Sequence, residues 1–408
     1  MQKAWLLAAL VAMGCEKTEE PKQEPAKPAE PPKPETAKTM APALPKLTTA
    51  DYMKKFEECN QAMEAKDDAK IMSCFTDDAK VVIVDSGMEF NGAKQIVDEF
   101  YKPWAAAWPD FKPTPQLVIA NGNKIAGIFH ATGTNSGPMM GQKPTNKKAA
   151  FMGGRYIVMS DDGRIKEDWH FVDQASILGQ IGLVKPPMKP RVDAKPIIDP
   201  PVMVTATDSK VENDNVALVA KLDEAYMKSD TAGVVAGLAD DFVMIDNTMA
   251  GEMKGKAVAQ KMLTEGAKAW TDRKWDSIAR FGAGDWVASV GEMSSTNSGD
   301  MPSMKLKKTG KTVTMKGLMF SHVTNGKVDK MVSLGNGLAW YVQMGMMKPP
   351  AMPAPGAAAA EPVGSEKMDK AAEGDKAAEG DKGAKGAKAE KKGKKAEEPS
   401  AKPAAPNE

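Results

Sequence analysis

Three histidines and three cysteines are the side chains of this 408-residue chain best suited to proton transfer, metal binding or redox chemistry. The histidines are His130, His170 and His322; the cysteines are Cys15, Cys59 and Cys74. None stands in a CxxC or HExxH spacing, so the pattern offers no dedicated zinc site. Histidine exchanges protons near neutral pH, which makes it the natural acid/base candidate. Methionines cluster at Met139-Met140 and at Met344, Met346 and Met347. Thioether sulfur binds Cu(I), but Met also fills irregular apolar pockets, and the spacing does not recur as a motif. The sequence therefore predicts no metal and no cofactor. A net charge of +1 gives no global field that would draw in nucleic acid.

The elements that must position these residues occupy only the middle of the chain. At the start, Lys3 precedes an apolar run from Ala4 to Met13 and then Gly14-Cys15. That order reads as an export signal, and the run is too short to span a bilayer. Ala12-Met13-Gly14-Cys15 resembles the lipobox of bacterial lipoproteins, with Ala12 in place of the usual Leu. The resemblance implies cleavage after residue 14 and lipidation of Cys15, hence a membrane anchor. An ordinary signal peptide with an incidental Cys is the alternative. Residues 15–46 are rich in Pro, Lys, Glu and Ala and are expected to form a disordered tether, able to reach roughly 90 Å if extended. Glu16 rather than Asp after the Cys favours the periplasmic face of an outer membrane. Residues 351–408 are a low-complexity Lys/Ala/Glu/Gly-rich tail that turns basic from Lys382 to Lys395. The expectation is a solvated disordered tail; contact with an anionic envelope polymer is the sharper alternative.

Between these ends the chain repeats itself. Met63 to Asp78 faces Tyr226 to Asp241, 163 positions later, and Thr134-Asn135-Ser136-Gly137 faces Thr296-Asn297-Ser298-Gly299. Lys185-Pro186-Pro187 faces Lys348-Pro349-Pro350. A self-similar period of this length marks two copies of one domain, at residues 47–187 and 209–350, joined by a Pro-rich linker at 188–208. In copy one, apolar spacing predicts a helix over Thr49 to Ala65, capped at Thr48 or Thr49, and a short helix from Asp67 or Asp68 through Phe75. Lys80 to Asp85 reads as a strand and Gly92 to Ala107 as a helix. Strands follow at Pro115 to Ala120, Lys124 to Thr134, Ala149 to Ser160 and Arg164 to Val172, with a helical turn at Ser176 to Ile181. Helices first and strands after predict an α+β fold: two tandem curved antiparallel sheets, each covered by its N-terminal helices.

Trp104, then Trp108-Pro109-Asp110-Phe111, the segment Thr132-Gly133-Thr134 with Gly137, Gly141, Pro144-Thr145 and Lys147, and Asp162-Gly163-Arg164-Ile165 with Trp169, Asp173 and Gln180-Ile181-Gly182 together resemble the SnoaL-like polyketide cyclase family of the nuclear transport factor 2 superfamily. The resemblance spans nearly all of copy one. It implies a cone-shaped fold with an apolar cavity and cofactor-free chemistry on enolisable carbonyl compounds. The expected cavity lining is Trp104, Trp108, Tyr156 and Trp169. His170 stands where the family carries its acid/base carboxylate, and Asp173 matches the family's closing Asp, placed to orient His170. In copy two Ser333 and Asn336 take those places, so that copy is expected to be catalytically empty.

Three functions compete. The leading expectation is an envelope lipoprotein whose tandem domains bind a small apolar ligand with little or no turnover. A cofactor-independent cyclase, isomerase or hydrolase using His170 and Asp173 is the second, and an envelope scaffold the third. Cys59 and Cys74 sit on the first two predicted helices. In an oxidising compartment they read as a disulfide, with two buried thiols as the alternative.

Overall fold

The computed structural model describes residues 46–349 apart from 190 and 194. The lipobox with Cys15, the tether and the basic tail lie outside the described residues. Domain 1 opens with α1 (Thr49–Glu64), which starts where Thr48 and Asp51 form a reciprocal capping box. Its apolar stripe of Tyr52, Met53, Phe56 and Cys59 is buried. Asp67 caps α2 (Asp68–Ser73), and a disulfide joins Cys59 to Cys74 across the elbow, with their Cα atoms 5.7 Å apart. Next come β1 (Phe75–Ile83), β2 (Met88–Asn91) and one long helical stretch. That stretch runs as α3 (Ala93–Gln95), a π-helical segment (Ile96–Tyr101) and α4 (Lys102–Ala107). The strands β3 (Lys112–Asn121), β4 (Lys124–Thr134), β5 (Lys148–Met159) and β6 (Ile165–Val172) lead to α5 (Gln174–Ile181).

The sheet order is β2-β1-β6-β5-β4-β3-β7. Two features correct the sequence reading. The sheet is mixed rather than antiparallel, because β1 returns through the helical stretch to lie parallel to β6. In addition, the linker is not a mere spacer: β7 (Val202–Thr205) runs parallel to β3 and finishes the domain 1 sheet. Alternating Val202 and Val204 pack against the apolar core while the backbone satisfies the outer edge of β3.

Domain 2 repeats the plan with α6 (Lys210–Met227), α7 (Thr231–Ala236), β8 (Leu238–Asp246), β9 (Glu252–Lys254) and α8 (Lys256–Ala269). Its other elements are β10 (Trp270–Ala283), β11 (Trp286–Asn297), β12 (Thr312–Thr324), β13 (Lys327–Leu334) and α9 (Gly337–Gln343), with sheet order β10-β11-β12-β13-β8-β9. Here too one pair, β13 with β8, is parallel.

Each sheet has two buried faces. One carries the domain's own helices. The other packs on its counterpart from the second copy, where Leu117, Ile119, Tyr156 and Phe171 of domain 1 meet Phe281, Val290, Leu318 and Phe320 of domain 2 in one apolar cluster. Burial of sheet faces on both sides is the dominant stabilising term for such a layered arrangement. Among the described residues no helix is long and apolar enough to cross a membrane.

Candidate functional site

Strand alternation decides which side chains share a face. Along β6, Trp169 and Phe171 point at domain 2, whereas Asp168 and His170 point back under the helices. On β5, Arg155 lies opposite His170 in the strand register and faces the same way. The three form one buried group. Arg155 Nε donates to Asp168 Oδ1 at 3.1 Å, and Arg155 Nη2 donates to Oδ2 at 2.5 Å. Arg155 Nη1 reaches Asn60 Oδ1 on α1 at 3.0 Å. His170 Nε2 lies 3.1 Å from Asp168 Oδ2, and its ring meets Phe100 edge-on at 5.1 Å. The Asp168 side chain is fully buried, and those of Arg155 and His170 are each 13% exposed.

Burial alone would push the Asp168 carboxyl up, but the Arg155 guanidinium and then His170 outweigh it and hold the carboxyl well below its ordinary range. Asp168 therefore stays an anion at the back of the imidazole. A His proton on Nε2 is held in that bond, which leaves Nδ1 as the ring nitrogen free to exchange a proton. Phe56, over which the Arg155 guanidinium lies at 5.6 Å, and Tyr101 close the surroundings. Burial pushes the Tyr101 hydroxyl upward, and that hydroxyl has no hydrogen-bond partner among the described residues.

Asp173 does not orient His170. It lies past the end of β6, where its carboxylate caps α5 by accepting from the Ala175 N–H at 3.1 Å and from the Ser176 hydroxyl. Residues 168 and 170 share a strand face; residue 173 has left the strand. The expected cavity lining also divides. Trp104 and Trp108 stack at 5.7 Å in a helix-side cluster with Phe111 and Phe151. Tyr156 and Trp169 sit on the opposite face, edge to face at 6.2 Å, with Lys316 of domain 2 4.9 Å from the Trp169 ring centre. His130 is buried and bonded through Nε2 to the Asp193 carbonyl, a structural role.

Sequence reasoning missed Arg155, Asp168 and Asn60. Asp168 carried a usable signal, since a carboxylate two residues before a strand His must share its face. Arg155 and Asn60 carried none, because their partners come from other elements.

In domain 2 the places of Arg155, Asp168 and His170 are taken by Met319, Met331 and Ser333, since Met319 lies opposite Ser333 as Arg155 lies opposite His170. That domain has a different ion pair, Arg280 with Asp223 on α6, where Arg280 Nε also donates to Ser289 Oγ at 3.1 Å. A small concavity of about 250 Å³ lies beside it, lined by Met227, Trp275 and Ser277. A wider groove of about 980 Å³ opens to solvent on domain 1, with Met72, Asp77, Asn91, Asp98 and Arg164 among its walls. Neither concavity includes His170.

Residues 54–181 match the family described as SnoaL-like polyketide cyclase, and residues 219–331 match the SnoaL-like domain family. No curated protein matches the chain. Solved structures similar to it include AclR from Streptomyces galilaeus, at 21% identity over 33% of this chain and 98% of that one, with a TM-score of 0.30. IdmH from Streptomyces antibioticus is similar at 22% identity over 32% and 98%, with a TM-score of 0.29. A nuclear transport factor 2-like protein from Burkholderia xenovorans LB400 is similar at 20% identity over 33% and 97%, with a TM-score of 0.28.

Proposed function

We propose that this chain, which carries two tandem SnoaL-like domains, uses domain 1 as an acid/base centre for an enolisable carbonyl compound and domain 2 as its non-catalytic partner. One observation carries the reading: a buried imidazole backed by a buried, arginine-held carboxylate. His170 Nδ1 takes the proton from the carbon beside the carbonyl, and the C–H electron pair becomes the double bond of the enolate. Asp168 keeps the ring in one tautomer and stabilises the imidazolium that forms. Arg155 and Asn60 hold Asp168 in place. The enolate carbon then attacks an electrophilic carbon or is reprotonated, giving closure or isomerisation.

The test is solvent deuterium exchange at the α-carbon of a panel of 1,3-dicarbonyl compounds, followed by NMR on the full chain. Exchange that falls by at least about 100-fold in His170→Ala supports the reading. Exchange unchanged in that variant overturns it. Binding of an apolar ligand without turnover is the second reading. It is favoured by the Phe100 ring against His170 and by Phe56 and Tyr101 in the same helix-side apolar cluster as Phe100, and it predicts binding of the panel with no exchange.

We further propose that the protein is anchored by lipid at Cys15 outside the cytoplasm, with the basic tail free to meet an anionic envelope polymer. The Cys59–Cys74 disulfide supports an oxidising compartment. Incorporation of a labelled fatty acid that persists in Cys15→Ser would overturn the anchor.

A further inference from the structure

The seam between the domains holds a group of acids that the proposed chemistry does not use. Asp85, just past β1, is 5% exposed. Its Oδ2 accepts from the Gln174 N–H of domain 1 at 2.7 Å, and its Oδ1 accepts from the Ala339 N–H of domain 2 at 2.9 Å. The Leu338 N–H lies 3.4 Å from Oδ2. One carboxylate thus closes the first turns of α5 and α9, one helix from each domain. Asp173 lies against Gly337, the first residue of α9, so tightly that an added Cβ there would strike its carboxylate. Asp246 reaches the seam from the end of β8, and Tyr341 comes from α9. The linker adds the buried pair Arg191–Asp193. Arg191 is engaged by Asp193 and by the Met249 and Gly251 carbonyls. The Asn336 side chain, also 5% exposed, donates to the Val84 carbonyl, and its Oδ1 is a buried acceptor with no donor. The seam is therefore rich in acceptors and short of donors, a balance that a carboxyl proton repairs.

We infer that the two domains are latched by protons held on the buried carboxyls Asp85 and Asp173, and that loss of the Asp85 proton loosens the seam. Burial first, and then Asp173, push the Asp85 carboxyl up to about 8 despite its three N–H donors. Burial first, with Asp246 adding, pushes Asp173 up to about 6 against its capping bonds. Groups whose acidity is weakened in the closed seam favour closure in acid, so closure weakens as pH rises. Two protons contribute up to about pH 6. One contributes from there to about 8, and above 8 the dependence levels off.

Hydrogen exchange of the full chain tests this, with intrinsic rates corrected at each pH. Protection of the Gln174, Leu338 and Ala339 amides should fall between pH 6 and 8 by up to about tenfold per unit. It should then stay flat to pH 9. Asp85→Asn, which accepts hydrogen bonds but does not ionise, should abolish that dependence. Protection flat from pH 6 to 8 in the native chain overturns the latch, as does an unchanged slope in the variant. Titration of the side-chain carboxyl carbons in the unmodified protein serves if the variant does not fold. Asp85 and Asp173 resonances both moving below pH 5 would also overturn it.

Discussion

The two domains share a fold and differ in what fills it. Domain 1 buries an Arg–Asp–His group beneath its helices; domain 2 puts Met319, Met331 and Ser333 at the same positions. Domain 1 clips α1 to the end of α2 with a disulfide, whereas in domain 2 Leu222 packs onto Gly237, the counterparts of Cys59 and Cys74. At these positions domain 1 carries a disulfide and an ionic group where domain 2 does not, and the ion pair of domain 2, Arg280 with Asp223, stands elsewhere in its fold. Buried ion pairs add little net stability over well-packed apolar side chains. What sets the domain 1 group apart is the imidazole it holds, for which the Arg280–Asp223 pair of domain 2 has no counterpart.

Breaking that ionic group should give the largest effect. Asp168→Ala leaves Arg155 buried and unpaired, and should cost about 3–5 kcal/mol in urea unfolding. The triple change Arg155→Met, Asp168→Met and His170→Ser copies domain 2 and should restore most of that stability without restoring exchange activity. If the triple variant is as unstable as the single one, the two interiors are not interchangeable. The pH dependence follows from the same group. Asp168 is more acidic in the folded chain than in the unfolded one. Its contribution is therefore present above about pH 4 and is lost as pH falls below that value.

Next in size are the two elbows. The bond joins residues 15 apart, so Cys59→Ala with Cys74→Ala should cost roughly 3 kcal/mol in domain 1. Leu222→Ala opens a cavity in domain 2 and should cost about 2–5 kcal/mol. Only the first loss should be reproduced by a reductant, which differential scanning calorimetry with and without one would show. The smallest effect concerns two strand glycines, one on the face turned to the other domain and one on the opposite face. A Cβ at Gly154 would strike Leu334 of domain 2, whereas one at Gly317 meets nothing within 4 Å. Gly154→Ala should cost about 1–3 kcal/mol, and Gly317→Ala should be within about 0.5 kcal/mol of neutral. Equal costs would mean that the sheet faces are not in contact at Gly154.

Local signals were legible in the sequence wherever neighbours in the chain set the structure. The Thr48 cap and the strand from Lys124 to Thr134 both read correctly. What stayed hidden depends on partners far along the chain. The pairing of β1 with β6 joins residues more than eighty positions apart. β7 was masked by its proline-rich flanks, which read as linker. The site was half legible. His170, named from the sequence, faces under the helices, and its hydrogen-bond partner is Asp168 rather than Asp173. The assignment of Tyr156 and Trp169 to a cavity failed because the other side of the sheet is covered by a second domain, and an aromatic residue suits either face.

The short strand Val202–Thr205 also orders events in time. A ribosome makes the chain from its amino end, so α5 is complete about twenty residues before the strand that finishes the domain 1 sheet. Until those residues emerge, the outer backbone groups of β3 have no partner, and a nascent domain 1 offers them to any neighbouring chain. When the strand does emerge, it brings α6 immediately behind it. The strands β10 to β13 that cover the inner face of that sheet come much later, so a newly made chain passes through a stage in which the first domain is sealed at its edge while its apolar face still waits for the second copy.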